Sequence, residues 1–333
     1  MTGSPLPFGK LPSALLRRLL EPYHRRSDEL LLPPTVGEDA GVIAVGGGAL
    51  VAATDPITLT GKEIGGHAVA INANDVAVTG VRPRWFLAVF LLPEGTTAAD
   101  VTDIFDSMRD ALDRLDILLV GGHSEITAAV NQPVVIGEML GYADDGRFLR
   151  TGGVRAGDTV LQIGPAPIEG ATVLASEAGS RLGEVSPEIL ARARDAIRDP
   201  GISVVAPALR AAALGATAMH DPTEGGLSTG LYEMAEASRL ALRVDTAAVL
   251  WFEPGVVLCD AVGANPWGML ASGTLLAAFP EDQVKAARNA LMAEGYASAI
   301  IAKAEAGAGI ATCDGAPISR YDQDELSRVL SAP

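Results

Sequence analysis

Four aspartates stand beside Gly, Asn or Pro at the ends of apolar runs: Asp39 in GEDAG, Asp55 in ATDPIT, Asp75 in NANDVAVTG and Asp221 in HDPTEGG. Carboxylates placed at strand and helix ends can converge on a hard cation such as Mg2+, which takes oxygen ligands together with the phosphates of a nucleotide. Aspartate is also a common cap and turn residue, and for each of the four taken singly capping is the commoner use. Asp75 fits that reading least, because it lies inside a helical pattern where a partly buried carboxylate is costly without a partner. Gly121-Gly122-His123-Ser124-Glu125 follows an apolar strand. Paired glycines there would let backbone N–H groups approach a phosphate or base. His123 could donate a hydrogen bond, bind a metal or simply pack in the loop. His67, in GGHAVA, and His220, beside Asp221, are further acid/base candidates, though an isolated histidine is more often structural. Cys259 sits on an apolar helix face and reads as a buried thiol, His24 reads as surface, and Lys10 in PFGKLP is a lone cation. Neither GxxxxGK[ST] nor GxGxxG occurs, so a bound nucleotide would be held by another scheme.

These residues need elements to position them. Residues 12–23 pair apolar residues with arginines at helical spacing and end near Pro22, which predicts a short amphipathic helix. GVIAV and ALVAATD flank Gly46-Gly47-Gly48 and predict a hairpin. Residues 63–80 predict a helix stopped at Gly80, followed by a strand in RWFLAVFLLP, a helix from about 98 to 115, a strand in ILLV and another in PVVIGEMLGY. Turn residues cluster at 151–158, and a boundary there divides the chain into an N-terminal domain, 1–155, and a C-terminal α/β domain, 156–333. In the second half helices are expected at about 169–178, 187–198, 204–214, 225–238 and 281–293. Short strands are expected at about 216–219, 240–244, 272–279 and 297–303, with a terminal helix after Tyr321.

The 333 residues, 48% hydrophobic and 20% charged, suffice for about two domains with buried cores. Lys and Arg number 25 against 41 Asp and Glu, a net charge of -16. That balance excludes the cationic footprint of a nucleic-acid binder. It also means that a polyanion such as ATP needs Mg2+ or backbone N–H groups to offset repulsion. No apolar run reaches the length of a membrane span, no signal peptide is visible, and the two cysteines give neither a disulfide framework nor a zinc spacing; a cytoplasmic protein is expected.

The order of the motifs carries more than any one of them. GEDAG, TDPIT, INANDVAVTGVRP, VGGHSEI, RAGDTVL and HDPTEGGL in succession resemble the series of the aminoimidazole-ribonucleotide (AIR) synthase superfamily. That group includes AIR synthase, formylglycinamide ribonucleotide amidotransferase, thiamine-monophosphate kinase, selenophosphate synthetase and the hydrogenase-maturation protein HypE. NAND and GVVLCDAVGANPWGMLASGTL are most similar to the HypE branch. The resemblance implies an α+β, PurM-like two-domain fold: an N-terminal domain whose strands form a barrel across a homodimer interface, and a C-terminal α/β domain. It implies ATP and Mg2+ as ligands, with Asp39, Asp55, Asp75 and Asp221 on the metal. Lys10, Asp55, Asn74, Asp75 and Gly121, Gly122, His123 and Ser124 would contact the nucleotide. His123, Glu125 and His220 are the catalytic candidates.

The departures from the pattern bear on chemistry. HypE carries GGDTKV where this chain has GGHSEI, and a Glu where this chain has Ser272. HypE ends in a cysteine that carries a carbamoyl group, whereas this chain ends Ser331-Ala332-Pro333; PLPFGK has no Cys before Lys10, which selenophosphate synthetase requires. The expected function is therefore ATP/Mg2+-dependent phosphorylation or activation of an oxygen on an unidentified small-molecule or protein-borne acceptor. A nucleotide-binding accessory protein without turnover is an alternative. Hydrogenase maturation with a substitute thiol, Cys313, is another.

Overall fold

The computed structural model describes residues 10–24, 27–58 and 63–331, which divide into two units. Of the described residues, 27–33 and 39–148 form the first unit, and 10–24, 34–38 and 149–331 form the second. The N-terminal helix α1 (Ser13–Leu20) ends in a 3-10 turn at Glu21–Tyr23, as Pro22 predicts. A division after residue 155 would leave it in the N-terminal domain, but the structure groups it with the second unit. The reason is polar contact: Arg320 donates to Ser13 Oγ at 2.9 Å, and Lys10 donates to Thr223 Oγ1 at 3.2 Å. Glu38 belongs there too, its carboxylate accepting the Thr151 N–H at 2.9 Å and pairing with Arg150 at 3.1 Å.

The first unit contains β1 (Leu30–Leu32), β2 (Gly41–Val45), β3 (Gly48–Ile57), α2 (Ile64–Ala77), β4 (Pro83–Leu92), α3 (Ala98–Leu115), β5 (Leu118–Ile126) and β6 (Val134–Ala143). They make one six-stranded sheet in the order β1-β2-β3-β6-β4-β5. The β2–β3 hairpin closes between Val45 and Gly48. Gly46 and Gly47 both take positive φ, 58° and 90°, the backbone that a two-residue turn matched to strand twist demands. β4 and β5 are parallel, so α3 serves as their crossover. Thr97 and Asp100 form a reciprocal capping box at its start.

Helix α2 is buried along almost its whole length, between the sheet and α3. It gets that close because glycines lie beneath it. A Cβ on Gly137 of β6 would stand 2.4 Å from Asn72 Nδ2 and 2.8 Å from the Phe86 ring. One on Gly141 would stand 2.7 Å from Val76 Cγ1, so residues four apart on the helix sit over residues four apart on the strand. On the other side, a Cβ on Gly65 would meet Ile104 O of α3 at 2.2 Å. The chain leaves α2 through Gly80, whose N–H caps Ala77 O at 2.8 Å with φ 76°.

The second unit contains β7 (Thr159–Ile163), α4 (Glu169–Glu177), α5 (Pro187–Asp195), α6 (Val205–Ala213), β8 (Ala218–His220), α7 (Gly226–Ser238), β9 (Leu240–Val244), α8 (Glu253–Ala261), β10 (Leu275–Phe279), α9 (Val284–Ala293), β11 (Ser298–Ala306), β12 (Gly309–Thr312) and α10 (Glu325–Ser331). Its sheet runs β12-β9-β11-β7-β10-β8, antiparallel except for the β12–β9 pair. β7 and β10 are buried on both faces; β10 (LLAAF) is apolar throughout, and the one amide in β7, Gln162, is satisfied by donating to Gly164 O and Leu250 O. The core gathers Val160, Leu231, Met234, Leu242, Leu276 and Ile301. Among the described residues no helix is long and apolar enough to cross a membrane.

The seating of α2 is open to test. Gly137→Ala is expected to cost about 1–3 kcal/mol in urea unfolding, because Asn72 and Phe86 are both packed. Gly66→Ala, whose Cβ would find Ser107 O at 3.2 Å, should cost distinctly less. Equal effects would show that the α2–β6 contact is not the tight one.

Candidate functional site

In the first unit, Asp55 lies half-buried on β3, where Asn72 of α2 clamps its backbone: Asp55 N–H donates to Asn72 Oδ1 at 2.8 Å, and Asn72 Nδ2 donates to Asp55 O at 3.2 Å. Asn74 and Asp75 follow on the same helix, 0% and 7% exposed. Asp39 is half-buried just ahead of β2. Buried polar residues on an otherwise aliphatic helix are held there only by specific partners, and the Asn72 clamp is one such contact. His67 is buried on α2, its Nδ1 bonded to Glu63 O at 3.0 Å; burial lowers its pKa, against the opposing pull of Glu63, and keeps the ring neutral.

The Gly121–Glu125 segment corrects the sequence reading. It is not a loop after a strand but the second half of β5, the sheet's edge strand, exposed along its whole length. Gly122 is needed for pairing: a Cβ there would stand 2.1 Å from Ala88 O of β4. His123 and Glu125, two residues apart on the strand, approach to 3.3 Å with exposed side chains. Such a surface pair contributes little to stability. The glycines thus let strands approach, and the structure places His123 and Glu125 on an open edge.

In the second unit, β8 delivers His220 and Asp221, 3% and 1% exposed, into the turn Pro222–Gly225 that opens α7. His220 Nε2 bonds Glu233 Oε2 at 2.9 Å. Burial would raise the Glu233 carboxyl, but the hydrogen bond and charge of His220, together with the charges of Lys10 and Arg320, outweigh it and the pKa is lowered. Gly230 makes room for this pair, since a Cβ would meet Pro222 at 2.6 Å. Lys10 joins the same turn, 3.2 Å from Thr223 Oγ1 and 2.9 Å from Glu224. Its ammonium overcomes the desolvation of Glu224 and lowers that carboxyl's pKa. Gly225 and Gly226 both need positive φ, 81° and 66°, and side chains there would collide with Tyr321 O and with Trp267 O and Met269 O.

Two family models match this chain: AIR synthase related protein, N-terminal domain, over residues 37–143, and AIR synthase related protein, C-terminal domain, over residues 155–313. The chain belongs to the AIR synthase related family. Carbamoyl dehydratase HypE of Rhodobacter capsulatus is 30% identical over 288 residues, 82% of each chain. Thiamine-monophosphate kinase of Mycobacterium tuberculosis is 28% identical over 272 residues, 78% of this chain and 77% of the kinase. A crystal structure of hydrogenase maturation protein HypE in complex with ATP superposes with a TM-score of 0.71 at 24% identity, covering 97% of this chain and 98% of that one. The two-domain PurM-like fold expected from the motif order is therefore the fold of this AIR synthase related protein.

Three titratable residues of this family member escaped the sequence reading. Glu169 opens α4 and is 6% exposed; burial pushes its carboxyl up to about 7, eased by the neighbouring Ser272 hydroxyl and reinforced by Glu224. Asp324, at the foot of α10, is likewise pushed up to about 7 by burial, although it accepts the Gly225 and Leu326 N–H groups at 2.7 Å each. Glu224 lies inside the HDPTEGG motif, which is the signal that marks it. For Glu169 the available signal was a lone acid in the apolar run APIEGATVLA; for Asp324 nothing separated it from the other acids of the tail. Cys259 is buried, its thiol pushed up to about 12 by burial and then by nearby carboxylates, while Cys313 is exposed.

Raised carboxyls make stability depend on pH. Glu169 titrates near 7 in the fold and near 4.5 when free, so between those values the folded chain holds a proton that the unfolded chain has released. Stability from this group is complete below about pH 4.5 and lost as pH rises through about 7. Relative to the wild type, Glu169→Gln should gain on the order of 3 kcal/mol in unfolding free energy between pH 4.5 and 8. Urea titrations at the two pH values check this, and parallel pH profiles would refute it.

Proposed function

We propose that the protein is an ATP- and Mg2+-dependent enzyme that phosphorylates or otherwise activates an oxygen of a small-molecule or protein-borne acceptor. The carrying observation is the Thr223–Gly226 turn at the start of α7, where the Lys10 ammonium meets Thr223 and Glu224 just after the buried Asp221. The donors fit the ligand: carboxylate and hydroxyl oxygens suit a hard divalent cation, and a lysine suits a phosphate. Asp39, Asp55, Asp75 and Asp221 would hold Mg2+, which when bound offsets the charge of the triphosphate in a chain of net charge -16. Lys10, with Asn74 and the Gly121–Ser124 segment, would contact the nucleotide. His220, held by Glu233, stands beside the turn as an orienting group. The relatives support this reading. One HypE structure is a complex with ATP, and another neighbour is AaThiL complexed with AMPPCP and TMP. Catalysis would consist of positioning and electrostatic stabilisation, as phosphoryl transfer requires.

Homodimerisation fits the edge strand β5. Leu118, Leu119, Val120 and Ile126 are between 47% and 64% exposed on a strand with an unpaired edge, an arrangement that a second copy would cover.

Two measurements test these readings. Asp75→Asn should weaken Mg2+-dependent binding of a non-hydrolysable ATP analogue at least about tenfold in calorimetry, with little change in melting temperature. Unchanged affinity in a folded variant would remove Asp75 from the site. Val120→Lys should shift the protein from dimer to monomer in sedimentation, and a variant that stays dimeric would place the interface elsewhere.

A further inference from the structure

Strand β8 ends at His220, and Asp221 lies just beyond it, ahead of the Thr223–Gly226 turn. Successive side chains on a strand point to opposite faces, and the end of β8 lifts that constraint. A ring nitrogen of His220 and a carboxylate oxygen of Asp221 lie within 4.8 Å of each other. That is the scale of two donors sharing one cation through bonds of about 2.1 Å. Both residues are buried, but Thr223 and Glu224 are half-buried and Lys10 is exposed, so the turn that leads away from the pair reaches the surface.

The imidazole is fixed from behind. His220 Nε2 lies 2.9 Å from Glu233 Oε2 of α7. A carboxylate can only accept, so the ring hydrogen stands on Nε2 and Nδ1 carries the lone pair. The ring plane is set by the same helix, since a Cβ on Gly230 would stand 3.4 Å from His220 Cδ2. The Cδ2–Nε2 edge therefore rests on α7, and the Nδ1 edge turns away from it. An imidazole that gives one N–H to a carboxylate and presents its other nitrogen elsewhere has the arrangement that stands behind metal-binding histidines. With Nε2 committed to Glu233, Nδ1 is the nitrogen that can join Asp221 on a cation.

We propose that His220 Nδ1 and the Asp221 carboxylate together bind the nucleotide's divalent cation, with Glu233 as the positioning residue behind the imidazole, and that this mixed nitrogen–oxygen site takes Mn2+ in preference to Mg2+. This rests on the reading of the chain as a cation- and ATP-dependent enzyme with Asp221 among the ligands. Mg2+ takes oxygen ligands and gives up its water reluctantly, whereas imidazole suits first-row transition cations. Mn2+ also accepts the carboxylate and phosphate oxygens that the rest of such a site supplies. A neutral imidazole in place of another carboxylate leaves more of the cation's charge to face the triphosphate, which matters in a chain of net charge -16.

The electron spin of Mn2+ makes its ligands visible. Pulsed EPR of the full-length protein with Mn2+ and a non-hydrolysable ATP analogue should show hyperfine coupling to a directly bound nitrogen. Labelling only the histidines with the heavier nitrogen isotope should change its frequency. His220→Gln should lose the coupling and lower Mn2+ affinity in calorimetry about tenfold or more, with a distinctly smaller loss for Mg2+. Glu233→Gln still accepts from Nε2 and should keep a shifted coupling with weaker Mn2+ binding. It decides the matter if His220→Gln does not fold, because changing the group behind His220 alters the coupling only when His220 is the ligand. No histidine coupling in the wild type, a coupling that survives His220→Gln or is lost in His123→Gln instead, or equal losses of Mn2+ and Mg2+ affinity would each overturn the proposal. Absence of any cation-dependent nucleotide binding in the wild type would instead overturn the ATP-dependent reading beneath it.

Discussion

A carboxylate withdrawn from water must be hydrogen-bonded, paired, bound to a cation or protonated, and this chain withdraws several while carrying a net charge of -16. Each answers the constraint differently. Glu38 is bound to backbone N–H groups and Arg150, and Glu233 is held by His220. Glu224 is held by Lys10. Glu169 and Asp324 stay protonated up to about 7. Asp75 and Asp221, both nearly inaccessible, are among the proposed Mg2+ ligands. Stability and chemistry are thus linked, because the groups that are costly to bury are the ones able to hold metal or proton.

Tight backbone approach is the second condition on which the proposed sites depend. α2 carries Asn72, Asn74 and Asp75, and it reaches the sheet only because Gly137 and Gly141 leave room, while Gly65 lets α3 close over it. Gly225 and Gly226 likewise let the Thr223–Gly226 turn fit among Trp267–Met269 and Tyr321. Side chains at these positions would displace the elements that present the polar groups, so the glycines act through geometry rather than chemistry.

Family membership does not by itself fix the chemistry. Relatives of similar identity are named a carbamoyl dehydratase and a thiamine-monophosphate kinase, different activities on one scaffold. Glu169 and Ser272 come from different segments, and the Ala271–Thr223 backbone contact joins the Ser272 segment to the Thr223–Gly226 turn.

Local order was legible in the sequence. The Gly46-Gly47 hairpin, the α2 helix with its stop at Gly80, the α3 span and most strands of the second unit follow from periodicity and turn chemistry, which act over a few residues. The succession of acidic motifs identified the family. Tertiary structure decided the rest. It drew Gly121–Glu125 into an edge strand, because pairing with β4 outweighs the loop preference of glycine. It tied Lys10 to Thr223 and Glu224, more than two hundred residues away, and Asp324 to Gly225. It also buried Glu169 against Ser272, giving an unremarked acid in an apolar run a pKa near neutrality. Burial and long-range pairing depend on which segments fold onto one another, and that information is not contained in any short stretch of residues.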